Sequence, residues 1–188
     1  MKKLLLLMLL TLILTACGTT STGSSQTPPS AEEPVKEVRA EVTEGDFIYR
    51  LVSEKNVYKE GEPWEFYAEL EYVGELDEVE IGHAASPFYF DMVETTRGYQ
   101  IGYPMDEPYI VTTLKRNEPY RENGYVGGGY SEHDSEEYVE FMKSLMNDEY
   151  PHGHYVINGA TDFYLHDESV SEKQNVRLEA VVEFDVIK

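Results

Sequence analysis

Hydrophobic and polar residues alternate with a period of two through much of this chain. In Trp64-Glu65-Phe66-Tyr67-Ala68-Glu69-Leu70-Glu71-Tyr72, the residues Trp64, Phe66, Ala68, Leu70 and Tyr72 share one face, and Glu65, Glu69 and Glu71 fall on the other. That is the pattern of a strand with one side in a core and one in water. Val176, Leu178, Ala180, Val182, Phe184 and Val186 alternate in the same way with Arg177, Glu179, Glu183 and Asp185, which predicts a long final strand. Further strands are expected over residues 46–53, 78–83, 87–94, 98–103, 109–114 and 160–166, all rich in Val, Ile, Phe, Tyr and Thr. Turn residues separate several of them, as at Lys59-Glu60-Gly61-Glu62-Pro63 and Asn123-Gly124. Clean alternation favours antiparallel sheets with one solvated face, so the expected fold is mainly β, two such sheets packed face to face.

One segment has a different period. Over residues 135–147 the apolar side chains Tyr138, Phe141, Met142, Leu145 and Met146 recur at helical spacing. Asp134 followed by Glu137 reads as a capping pair, and Pro151 lies beyond the expected stop. This predicts one amphipathic helix inserted between strands, with its apolar stripe on a sheet edge or at the sandwich end.

The N-terminus follows neither pattern. Lys2 and Lys3 precede a run at residues 4–14 that is apolar except for Thr11. At about 1.5 Å per helical residue the run covers about 17 Å, short of the ~30 Å hydrocarbon core, so it is expected to be an export signal and not a permanent span. It ends in Leu14-Thr15-Ala16-Cys17, and Cys17 is the single cysteine of the chain. This segment resembles the signal peptide of bacterial lipoproteins. The resemblance implies cleavage before Cys17 and a diacylglyceryl group, with palmitate-type acyl chains, on its sulfur. It also places the protein at the cell membrane, lipid-anchored on the extracytoplasmic side. Two acyl chains make a stable anchor where one gives only marginal binding. With Cys17 lipidated no disulfide can form, and the fold must rest on its own core.

Composition divides the rest. Residues 18–34 carry no aromatic or large aliphatic side chain, and residues 17–45 are expected to be a disordered Ser/Thr/Pro/Glu tether with an r.m.s. reach of ~30 Å. Residues 46–188 are expected to form a single β-rich domain, large enough to bury a self-sufficient core. Removal of residues 1–16 would leave 13 basic against 36 acidic residues, a balance of −23. Such a body is repelled by anionic lipid and has no basic footprint for nucleic acid. Acidity of this kind suits solubility in a harsh exterior, and divalent-cation capture is the sharper alternative.

Catalytic motifs are sparse. There is no Gly-x-Ser-x-Gly elbow, no phosphate-binding Gly-rich motif opening a helix, and no His-Glu-x-x-His. Ser131, His133 and Asp134 lie close in sequence, but adjacency in a loop does not build a triad. His152 and His154 could direct two imidazoles to one side of an extended segment, with His166 or Asp162 completing a metal site; the alternative is a polar turn after Pro151. No cofactor is expected. Residues 98–130 are rich in tyrosine, residues 95–121 carry four basic against three acidic side chains, and this region offers a candidate interaction face of Tyr99, Tyr103, Arg116, Tyr120 and Arg121 for an envelope protein or a glycan.

The turn Val57-Tyr58-Lys59-Glu60-Gly61-Glu62-Pro63-Trp64, leading into a long alternating strand, resembles the early strands of immunoglobulin-like sandwiches, in particular those of the bacterial intracellular proteinase inhibitor family. The likeness implies an antiparallel immunoglobulin-like β-sandwich and transfers no functional residue. Two functional expectations follow: a non-catalytic, membrane-tethered binding module, or an envelope enzyme or protease inhibitor.

Overall fold

A computed structural model describes residues 36–165 and 175–188. Cys17, the apolar N-terminus and His166 lie outside the described residues. The elements run β1 (Val38–Glu44), β2 (Phe47–Ser53), β3 (Val57–Lys59), β4 (Phe66–Tyr72), β5 (Glu78–Glu94), β6 (Tyr99–Ile101), β7 (Ile110–Lys115), β8 (Tyr120–Asn123), α1 (Glu136–Met146), β9 (Gly153–Leu165), β10 (Asn175–Val176) and β11 (Glu179–Ile187). Strands β1-β2-β4-β8 form one sheet; β3-β11-β9-β5-β6 form the second, with β7 on β5 and β10 on β9. Every strand pair is antiparallel except β3 with β11. Among the described residues the fold is a mainly β sandwich with one inserted helix, as the periodicity predicts.

The core lies where the alternating faces meet. Tyr49, Leu51, Ala68 and Leu70 from the first sheet and Ile81, Phe88, Tyr155, Ile157 and Phe163 from the second are all fully buried. Aromatic pairs bridge the sheets, Phe47 on Phe163 at 5.1 Å and Phe66 on Phe90 at 5.4 Å between ring centroids. Close approach has a local requirement at Gly159, where a Cβ would stand 2.5 Å from the Tyr49 hydroxyl and 2.8 Å from Leu51.

Several boundaries differ from expectation. The domain starts before residue 46: Val38 to Glu44, assigned above to the tether, pair with β2 along their whole length. Val38, Ala40 and Val42 supply a modest apolar face, and Gly45 at φ +56° permits the two-residue turn into β2. Residues 78–83 and 87–94 belong to one strand with an irregularity between His83 and Phe88. Strand β9 begins at Gly153, so the segment after Pro151 enters the sheet at once. Helix α1 is capped by Ser135 and not by Asp134: the Ser135 hydroxyl accepts from the Tyr138 N–H at 3.2 Å. Phe141, Met142 and Leu145 are its buried stripe.

Candidate functional site

The irregularity in β5 creates the most site-like feature of the domain. On one side β5 is paired by β9; on the other, β7 covers only Glu78 to His83 and β6 only Met92 to Glu94. The segment after β6 runs through this break, tied by the Tyr103 N–H donating to Asp91 at 3.2 Å and by the Ala85 N–H donating to the Asp106 carbonyl at 3.1 Å. Strand β8, at the edge of the first sheet, borders the same opening. Between them lies a cleft of about 430 Å³ that includes Ser86, Tyr103, Asp106, Glu122, Asn123 and Tyr125. A strand irregularity beside a cleft is a common way to aim side chains at a site.

The polar groups of the cleft are closely interlinked. Ser86, nine-tenths buried, donates to Glu122 at 2.5 Å and accepts from the Phe88 N–H at 3.0 Å. Tyr120 donates to the other oxygen of Glu122, and Tyr125 donates to the Pro104 carbonyl. The Tyr103 and Tyr125 rings lie 4.4 Å apart. Tyr103 also packs on Phe90, and Tyr120 on Phe88. Burial first, and for Tyr120 also its hydrogen bond to Glu122, pushes both phenols well above the ordinary tyrosine range.

The five residues proposed as one interaction face are thus divided. Tyr103 lines the cleft, and Tyr120 stands behind it, bonded to Glu122 and packed on Phe88. Tyr99 packs against α1, 5.1 Å from Tyr138 and 5.0 Å from Phe141. Arg116 pairs with Asp77 at 2.8 Å and donates to the Glu75 carbonyl. Arg121 lies 3.2 Å above the Tyr67 ring, with Glu54 at 3.6 Å, and so shields an aromatic on the outer face of the first sheet. Ser86 and Glu122 were missed by sequence reasoning, because a serine in a Pro-containing strand and a glutamate in a short edge strand carry no distinguishing pattern.

The histidines do not converge. His154 faces Asp185 at 2.8 Å and Glu183 at 3.5 Å across β9 and β11, whereas His152 approaches Glu60 at 3.6 Å. Asp162 lies farther along β9, near Arg177. Among the described residues, no three His, Cys, Asp or Glu side chains are grouped to hold a metal ion. His83 is buried and bridges the Ala84 carbonyl and the Thr112 hydroxyl, both at 2.8 Å. A larger, more open depression of about 620 Å³ lies beside the start of α1. There Asp134 accepts from the Ser131 N–H and hydroxyl, while the His133 ring leans toward Glu132, so the three residues form a turn and not a triad.

Buried tyrosines make an alkaline limit predictable. Burial, with a hydrogen bond to Asp148, pushes Tyr150 up to about 12, and burial raises Tyr49 and Tyr155 in the same direction. Each stabilises the fold fully below the unfolded tyrosine value near 10, and its contribution is lost as pH rises through the folded value. Tyr150 alone accounts for about 2–3 kcal/mol across that window. Urea midpoints are expected to fall steeply from pH 10 to 12, and Tyr150→Phe is expected to flatten part of that slope.

No protein-family model and no curated protein matches the chain. Among solved structures, a protein from Archaeoglobus fulgidus is similar over 81% of this chain and 95% of its own, at 10% identity and a TM-score of 0.33. A likeness at that level carries no functional residue to the cleft.

Proposed function

We propose that this chain is a bacterial lipoprotein, anchored through diacylglyceryl Cys17 on the extracytoplasmic side of the cell membrane. Its acidic β-sandwich serves as a non-catalytic binding domain, with the cleft at the β5 break as its contact site for an envelope protein or a glycan. The observation that carries the anchor is the order Lys2-Lys3, an apolar run, and Leu14-Thr15-Ala16-Cys17. Binding is favoured over catalysis by the state of Ser86, whose hydroxyl is buried and already engaged both as donor and as acceptor. Aromatic walls with a few fixed polar groups suit recognition.

The anchor has a direct test. In a bacterial host fed an alkyne analogue of palmitate, the wild-type chain is expected to take up label and to partition into detergent. Cys17→Ala is expected to lose the label and remain unprocessed. A wild-type chain without label, or label retained in the variant, would contradict the assignment. Protease added to intact spheroplasts is expected to digest the domain.

A further inference from the structure

The hydrogen-bond inventory of the cleft points to the chemistry of its ligand. Three of its hydroxyl donors are committed within the protein: Ser86 and Tyr120 donate to Glu122, and Tyr125 to the Pro104 carbonyl. What remains is mainly acceptor capacity, since a carboxylate offers about four lone-pair sites and two of those on Glu122 are occupied. Asp106 adds a second carboxylate, and no basic side chain is among the described residues lining the cleft. The Tyr125 ring stands at the wall, 48% exposed, where an aromatic face attracts cations. The chain as a whole carries −21, which raises the local concentration of cations over such a concavity.

We infer that the cleft between the β5 break and β8 takes an organic cation, a primary ammonium on an alkyl stem, with Glu122 as its charge partner and Tyr103 and Tyr125 as walls for the stem. This rests on the cleft being the binding site and specifies what it binds. A lysine side chain of a partner and a free diamine share this chemistry.

Amide NMR of the ¹⁵N-labelled full chain in detergent distinguishes the sources. The probes are 1,5-diaminopentane, a blocked Gly-Lys-Gly peptide, the same peptide with its lysine acetylated, and an N-acetylglucosamine oligomer. Saturable shifts confined to Ser86, Tyr103, Glu122 and Tyr125 are expected with the amine probes and not with the acetylated peptide. A response to the diamine alone identifies a free amine as the ligand; a response to both identifies a lysine side chain as sufficient. Glu122→Gln is expected to weaken binding about tenfold. Glu140→Gln, the same charge change on an exposed face of α1, is expected to change it by less than about twofold. Equal losses in the two variants, shifts spread over the acidic surface, or no cleft shift with either amine would overturn the inference. A cleft response to the neutral oligomer alone, abolished by Tyr125→Ala, would overturn the cation assignment and leave the binding site standing. No cleft response to any probe would count against both.

Discussion

Trp64→Ala is expected to lower folding stability by about 3–5 kcal/mol, the range for removing a large aromatic from a packed core. Trp64 lies two residues before β4 and is 8% exposed. Its ring meets Tyr150 at 4.4 Å, Tyr155 at 4.5 Å and Phe184 at 5.0 Å, so one side chain joins the approach to β4 with the segment after α1 and with strands β9 and β11 of the opposite sheet. Truncation would leave a cavity that three separate elements cannot close together. The indole N–H is buried without a partner among the described residues, so Trp64→Phe removes volume but also an unmet donor. It is expected to cost clearly less than Trp64→Ala. Urea denaturation followed by far-UV circular dichroism measures both, since Trp64 is the single tryptophan and fluorescence would be lost with it. Equal losses in the two variants would show that ring packing is not the source of the effect.

Glu94→Ala is expected to have an effect of comparable size through a different mechanism. Glu94 is fully buried at the end of β5. One carboxylate oxygen accepts from the Thr96 N–H at 2.9 Å; the other accepts from the Arg97 N–H at 2.9 Å and lies 3.2 Å from the Arg97 guanidinium. Arg97 in turn donates to the His152 carbonyl at 3.0 Å and sits over the Phe141 ring. The carboxylate therefore ties the turn into β6 to the start of β9 and to α1. A Cβ at Gly153 would stand 2.4 Å from Glu94 Oε1, which explains a glycine at that position. Alanine would leave two turn N–H groups without their acceptor and remove the ion pair of the exposed Arg97, a loss of about 2–4 kcal/mol. Glutamine keeps one acceptor oxygen and is expected to cost about half as much. Amide exchange should locate the damage: Thr96, Arg97 and the first residues of β9 are expected to lose protection before the centre of the sandwich. Uniform loss of protection across both sheets would argue against this local clamp.

Much of the fold was legible because period-two alternation records burial directly. The series from Phe66 to Tyr72 and from Leu178 to Val186 fall on the faces expected, and the helical stripe at Phe141, Met142 and Leu145 is buried as its spacing predicts. Strand β1 was less legible because Arg39, Glu41 and Thr43 flank small apolar residues, and pairing with β2 supplies what the weak pattern does not. Glu94 was illegible for a different reason. A glutamate at a strand end reads as solvent-facing, and only the folding of the following turn back onto it surrounds it with donors.

The candidate site shows the same division. Tyrosine enrichment over residues 98–130 marked the stretch that supplies Tyr103 and Tyr125 to the cleft and Tyr120 to the Glu122 hydrogen bond beside it. Tyr99, Arg116 and Arg121, similar in sequence terms, are drawn off to the helix, to Asp77 and to Tyr67. By itself the sequence determined the β-rich class, the inserted helix, the acidity and the single cysteine after an apolar run, because each is a property of composition or local period. Only the tertiary structure decided which tyrosines share a cleft, that Ser86 and Glu122 bond 36 residues apart, and that His152 and His154 take separate partners. Those outcomes depend on strand register and on the break in β5, which bring together residues whose separation along the chain carries no signal of their contact.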